Sequence, residues 1–140
     1  MDTKKINPQV IEQFRGGGEI PGMHRERLVL LTTTGAKTKA ERTTPLMFHR
    51  DGDRIYVIAS NSGATKAPDW YHNLLANPRV KVELADETFE AQAEPLEGSE
   101  RERVWTEIKR LFPFFGHHEK QANRTIPVVE LARTEPNRRD

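Results

Sequence analysis

The chain has no cysteine, which excludes disulfides, thiolate metal sites and a cysteine nucleophile. No apolar run approaches the ~20 residues that a membrane-spanning helix needs, so no transmembrane segment is expected. Lys4 and Lys5 are not followed by a hydrophobic run, which argues against a signal peptide and makes the cytoplasm the default compartment. Net charge is nearly absent too, at a formal +1. A general nucleic-acid binder carries a basic excess, so nucleic acid is not an expected partner. A metal signature is also lacking. His117 and His118 are adjacent, and on a helix their side chains diverge by roughly 100°. His24, His49 and His72 have no carboxylate at ligand spacing. No serine sits in a G-x-S-x-G elbow, and the carboxylates are scattered among cations on helix faces. A chain with so little reactive chemistry of its own often borrows it from a cofactor.

What is present is one ordinary domain's worth of sequence, 140 residues with 35% apolar and 31% charged side chains. Its organising stretch runs from Leu31 to Arg79. An apolar strand, Leu28 to Thr34, shows no alternation, so both of its faces are expected to be covered. It ends in a Thr-rich turn around Gly35 that carries Lys37 and Lys39, with Arg42 close behind. Arg42 to Arg50 reads as a second strand, and Pro45 implies a bulge or an edge position there. Asp51-Gly52 is a hairpin signal, because glycine supplies the positive φ the turn needs. Arg54 to Ser60, again apolar on both faces, empties into Asn61-Ser62-Gly63-Ala64-Thr65 with Lys66 behind it. Pro68 suits the start of a helix, which must stop near Asn77-Pro78.

The remaining sequence supports this stretch. Ile6, Val10, Ile11 and Phe14 fall at helical spacing before Gly16-Gly17-Gly18. The reading is a lid packed over a sheet, with a membrane-touching amphipathic helix as its alternative. Val80, Val82 and Leu84 alternate with charged neighbours as a strand with one wet face. Phe89, Ala91 and Ala93 face inward from the next strand. Ser99 and Glu102 have capping-box spacing, opening a helix whose buried stripe is Val104, Trp105, Ile108, Leu111 and Phe112. Pro113 interrupts it, a second helical piece runs from Phe114 to Asn123, and Thr125 to Leu131 is a last strand. The sum is a single α+β domain over residues 1–132, with 1–22 as helix and Gly-rich linker and 133–140 as a disordered tail. Six mostly antiparallel strands, with helices between the third and fourth and between the fifth and sixth, fit a small barrel best.

The Thr34-to-Lys39 turn is not a Walker A loop, which would open directly into a helix. Lysines on an exposed turn are usually solvated charges. Convergence changes that reading: if the hairpins run as described, Arg42, the Ser60-to-Thr65 loop and Lys66 leave the same end of the sheet. Backbone N–H groups in such loops, with a helix N-terminus, can hold an anionic ligand.

Those residues resemble the deazaflavin-dependent nitroreductase family, whose members use coenzyme F420. The resemblance covers about Arg27 to Leu131. It is carried by Leu30-Leu31-Thr32-Thr33-Thr34-Gly35, Arg42-Thr43-Thr44-Pro45-Leu46, Asp69-Trp70-Tyr71-His72-Asn73-Leu74-Leu75-Ala76-Asn77-Pro78 and Arg124-Thr125-Ile126-Pro127-Val128-Val129. It implies an FMN-binding-like split β-barrel, and an enzyme passing hydride from reduced F420 to an apolar electron-poor acceptor such as a quinone, nitroaromatic or activated enone. By that analogy Lys37, Thr38, Lys39 and Arg42 hold the coenzyme's phosphate and glutamate tail. Pro45, Ile58, Ser60, Asn61, Gly63, Ala64 and Lys66 line its ring and ribityl chain, and Pro68, Trp70 and Asn73 close the pocket. Where family members commonly place tyrosines against the substrate, this chain has Phe112, Phe115 and His118. Ser60 or His118 then becomes the expected proton donor, with the two phenylalanines as an apolar wall. The alternatives are a split barrel that binds FMN or haem, and a non-catalytic F420 carrier. Uncovered barrel edges leave both a monomer and a homodimer open.

Overall fold

The computed structural model describes residues 11–12, 14–16, 28–60, 65–85 and 87–134. Its strands are β1 (Leu28–Thr34), β2 (Glu41–Asp51), β3 (Arg54–Ile58), β4 (Arg79–Glu83), β5 (Thr88–Pro95) and β6 (Val128–Arg133). Helix α1 (Asp69–Ala76) lies between β3 and β4, and α2 (Gly98–Leu111) and α3 (Phe114–Ala122) lie between β5 and β6. The strands close into a barrel in the order β1-β2-β3-β6-β5-β4, and every pairing is antiparallel. The expected strand count, pairing sense and helix insertions are all present.

Side chains two apart share a face of a strand, and the register sorts them. Val29, Leu31, Val57, Val82, Ala93 and Leu131 fill the barrel interior, which Trp70 and Leu74 of α1 join. Two clusters cover the outer face. Phe14 packs on Leu28 and Leu30, with Ile11 and Met47 against them. The expected lid over the sheet is therefore seen where the N-terminal segment is described, at helical residues 11, 12 and 14–16. On the other side, Tyr56, Ile58 and Val128 meet Val104, Trp105, Ile108 and Phe115 of α2 and α3. Burying an aromatic such as Trp105 (1% exposed) stabilises by about 1.5–3 kcal/mol. Covering on both sides explains why β1 and β3 show no hydrophobic alternation.

Between these covers the barrel wall opens. β2 pairs with β1 from Glu41 to Met47 but with β3 only from Phe48 to Asp51. Carried further, the β2–β3 register would set Pro45 opposite Ser60; instead the ladder ends at Phe48–Val57, and the Ala59 amide bonds the Pro127 carbonyl at 3.0 Å. Pro45 thus stands on a stretch of β2 paired on one side, the edge position its missing N–H requires. At the other end of β2, Gly52 supplies the hairpin's φ of +63°.

Several expectations at element ends differ. The N-cap of α2 is Glu97, without a side-chain cap bond. Ser99 is already inside the first turn, and the Glu102 carboxylate accepts from Arg101 Nη1 at 2.6 Å, so the capping box does not form. Leu111 is 43% exposed, because α2 ends there and the chain turns at Phe112–Pro113 into α3. β6 begins at Val128 and reaches Arg133, later at both ends than expected, since its pairing with β5 runs from Val129 to Arg133. Glu83 is buried on the face expected to be wet, because Arg15 covers it with bonds of 2.9 and 2.7 Å. Readings placed on residues 1–10, 17–27, 61–64, 86 and 135–140 lie outside the described residues.

Candidate functional site

Antiparallel closure decides which loops meet. The C-terminal ends of β1, β3 and β5 and the N-terminal ends of β2, β4 and β6 share one end of the barrel. That end therefore gathers the β1–β2 turn, the β3–α1 connection, α1 and the α3–β6 connection. Lys37, Lys39, Arg42, Ser60 and Lys66 come together there, as the hairpin reading required.

The β1–β2 turn is built by its backbone. The Gly35 N–H donates to the Ala40 carbonyl at 2.7 Å, and the Lys39 N–H to the Gly35 carbonyl at 3.0 Å. Lys39 is left-handed at φ 63°. A Cβ on Gly35 would lie 2.6 Å from Thr38 Oγ1 and 3.3 Å from the Ala40 carbonyl oxygen, so any side chain there would displace the Thr38 hydroxyl from its bond to the Ala40 N–H. Lys37, Thr38, Lys39 and Arg42 are all exposed. Among the described residues, neither turn lysine nor Arg42 is in an ion pair. Exposed cations without internal counter-charges suit an external anion.

Asn73 ties this turn to α1. Its Oδ1 accepts from the Ala36 N–H at 3.1 Å, and its Nδ2 donates to Thr33 Oγ1 at 3.3 Å. Asn77 adds a bond from Nδ2 to the Thr34 carbonyl at 3.4 Å. Both ends of the Asn73 amide are thus engaged within the protein, and Trp70, 6% exposed, packs into the barrel-interior cluster. Pro68 is half-buried and forms the N-cap of α1.

At the opening in the wall, Pro45 is half-buried, while Ile58 and Ser60 are buried on the outer-face side. His118 reaches Ser60 from α3, with its Nδ1 at 3.3 Å from Ser60 Oγ. Phe114 and Phe115 flank the imidazole at centroid distances of 5.6 and 5.8 Å. The two expected proton donors are thus brought together. The expected apolar wall is redistributed. Phe115 is 6% exposed and belongs to the core against Trp105, whereas Phe114 is 38% exposed and presents apolar surface beside His118. Phe112 is half-buried, 6.3 Å from Phe115 by centroid. Phe114 was read only as the start of a helix, and its place directly after Pro113 was the available signal. Asn61, Gly63 and Ala64 lie outside the described residues.

Sequence reasoning also missed Arg124, quoted only as part of a motif. Its Nη2 donates to the main-chain carbonyls of Ala59, Ser60 and Lys66 at 3.1, 3.2 and 3.2 Å.

No group of three or more His, Asp or Glu able to hold a metal ion occurs among the described residues. Nor is any described helix long and apolar enough to cross a membrane. A separate polar cavity of about 330 Å³, lined by Phe14, Arg15, Glu83 and the β4–β5 turn, opens at the opposite end of the barrel. Its Arg15 and Glu83 neutralise each other.

The chain is similar to known proteins over nearly its whole length. The family model for F420H(2)-dependent quinone reductase matches residues 4–133. An F420H(2)-dependent quinone reductase of Mycobacterium tuberculosis is 38% identical over 122 residues, covering 85% of this chain and 80% of its own. The solved structure of the F420H2-dependent reductase FDR-A superposes with a TM-score of 0.69 at 36% identity, covering 79% of this chain and 99% of its own. Another, described as a domain-swapped dimer, reaches 0.72 at 33% identity, covering 92% and 98%. The six-stranded split barrel, the cation-bearing turn and these matches agree: the chain belongs to the F420H(2)-dependent quinone reductase family.

Proposed function

We propose that the opening between β2 and β3 binds coenzyme F420 and that the chain passes hydride from its reduced form to a quinone. The observation that carries this reading is the end of the barrel itself. Exposed cations without ion pairs among the described residues sit on one side of a half-open, partly apolar strip of wall. Those features fit a polyanion joined to an uncharged ring. Lys37, Thr38, Lys39 and Arg42 hold the phosphate and glutamate tail. Pro45, Ile58 and Ser60, with Asn61, Gly63, Ala64 and Lys66, line the ring and its ribityl chain. Trp70 and Asn73 act from behind, keeping α1 and the turn in place, with Pro68 at the helix start.

Bound there, the reduced deazaflavin supplies a hydride from ring carbon. The protein's share is to orient the partners, exclude water and deliver the proton that a reduced quinone needs. His118 and Ser60 form that proton site. Where Ser60 Oγ–H donates to Nδ1, the ring proton sits on Nε2; in the other tautomer Nδ1–H donates to Ser60 Oγ. Phe112 and Phe114 offer apolar surface to the acceptor, with Phe115 supporting them from the core. Such a surface suits quinones, and also nitroaromatics and activated enones. The cytoplasm remains the proposed compartment, with peripheral membrane contact through the N-terminal helix kept open. The dimeric neighbour supports a homodimer alongside a monomer.

The test is anaerobic oxidation of reduced F420 on addition of a short-chain quinone, followed by the return of deazaflavin absorbance. Turnover that requires both protein and quinone supports the reading. Coenzyme binding without turnover favours a carrier instead.

A further inference from the structure

The segment leaving β3 and entering α1 has lost its strand partner on the β2 side, yet Ser60 and Lys66, both in the proposed site, depend on it. Arg124 reaches it from the α3–β6 connection. One nitrogen, Nη2, donates to the carbonyls of Ala59, Ser60 and Lys66 at 3.1, 3.2 and 3.2 Å, which lie on both arms of that segment. Nη2 carries two hydrogens and meets three acceptors, so at least one hydrogen is shared. Hydrogen bonds from a guanidinium, a charged donor, are the stronger kind.

Arg124 is itself mounted on a fixed platform. Arg101 of α2, 9% exposed, donates from Nη2 to the Ile126 carbonyl at 2.5 Å. The Pro127 carbonyl accepts from the Ala59 N–H at 3.0 Å. The α3–β6 connection is thus tied to α2 on one side and to the end of β3 on the other.

We propose that Arg124 is a positioning residue that clamps the two arms of the β3–α1 segment, setting Ser60 against His118 and Lys66 against the coenzyme. It acts through backbone carbonyls, not by touching the coenzyme. The proposal rests on the functional reading above, so its test has one arm that needs no coenzyme.

Wild type, Arg124→Ala and Arg124→Lys are compared as full chains. Amide hydrogen exchange of the coenzyme-free protein and the Kd for oxidised F420 are measured on each. In Arg124→Ala, exchange at Ala59–Ser60 and Thr65–Ala67 should quicken by about tenfold, with β1, β4 and β5 unchanged. The Kd should rise by about tenfold, and kcat at saturating coenzyme should fall less than the Kd rises. Arg124→Lys, which keeps charge and donors, should recover at least half of both effects on a logarithmic scale. Unchanged exchange at these amides overturns the clamp, even if affinity falls, because Arg124 would then be a direct anion contact. Equal acceleration across the whole barrel overturns it as well. Should Arg124→Ala not fold, Arg124→Gln and Arg124→Lys decide: Gln must show the local acceleration and Lys must not. If wild type fails to bind F420, the functional reading fails, and the exchange arm still settles the clamp.

Discussion

His118 Nδ1 lies 3.3 Å from Ser60 Oγ, joining α3 to the end of β3 across 58 positions of sequence. The contact falls where the barrel wall opens and beside the exposed ring of Phe114. In the proposed function this pair stands at the edge of the coenzyme's opening and supplies the proton that accompanies hydride transfer.

Ser60→Ala and His118→Ala should each lower kcat for quinone reduction, by on the order of 100-fold or more if the pair supplies the proton. Coenzyme affinity should change little in His118→Ala. The double variant should lose no more than the worse single one, because the two act as a unit. Steady-state kinetics with varied quinone checks this, and unchanged kcat in both single variants would remove the pair from the chemistry.

Charge at the β1–β2 turn should act on binding alone. Lys37→Ala and Lys39→Ala should each raise the Kd for F420 by about twofold to fivefold at low salt. The difference should shrink as ionic strength rises, since exposed pairs are screened. A reciprocal experiment adds charge: Ala36 adjoins Lys37, so Ala36→Arg should tighten binding by a similar factor. Titrations at two salt concentrations measure both.

Asn73→Ala removes two bonds that hold the turn to α1. It should cost about 1–2 kcal/mol of stability and weaken coenzyme binding indirectly. Denaturant unfolding gives the first quantity. A variant with full stability and wild-type Kd would show that the tether positions nothing.

Much of this was legible from local chemistry. Val80, Val82 and Leu84 alternate, Asp51-Gly52 turns, and Pro113 separates two helices, because period and backbone restrictions are local properties. The pairing of those hairpins then followed, and with it the gathering of Lys37, Arg42, Ser60 and Lys66 at one end. What stayed hidden depends on tertiary neighbours. Asn73 and Trp70 have the residue types of ligand contacts, but the bonds of one to the β1–β2 turn and the place of the other in the barrel interior depend on residues far away in sequence. Ser99 and Glu102 have capping-box spacing, but the helix entry at Gly98, with φ +61°, puts the cap upstream. Arg124 serves carbonyls about sixty positions away, which no spacing rule connects.

Stability should fall in acid through two separate groups. His49 is buried, and burial holds its pKa below the ordinary 6.5 despite the raising influence of Asp51 and Glu107. The unfolded chain therefore takes up the proton first, and stability declines as pH drops below about 6.5 towards the lowered folded value. Glu83 has its pKa held below 4.5, first by the hydrogen bond from Arg15. Its contribution is complete above 4.5 and is lost as pH falls through the lower folded value. His49→Phe should flatten the first slope, and Arg15→Ala the second. Thermal unfolding followed from pH 8 to pH 3 distinguishes them.

The central claim is that the cationic end of the barrel and the opening beside it were built for F420. A fluorescence titration of the purified chain with oxidised F420 and, separately, with FMN tests it most directly. Saturable F420 binding that weakens with salt, with FMN binding at least about tenfold weaker, is the predicted result, because FMN has the phosphate without the glutamate tail. Equal or tighter binding of FMN would contradict the claim while leaving the barrel intact.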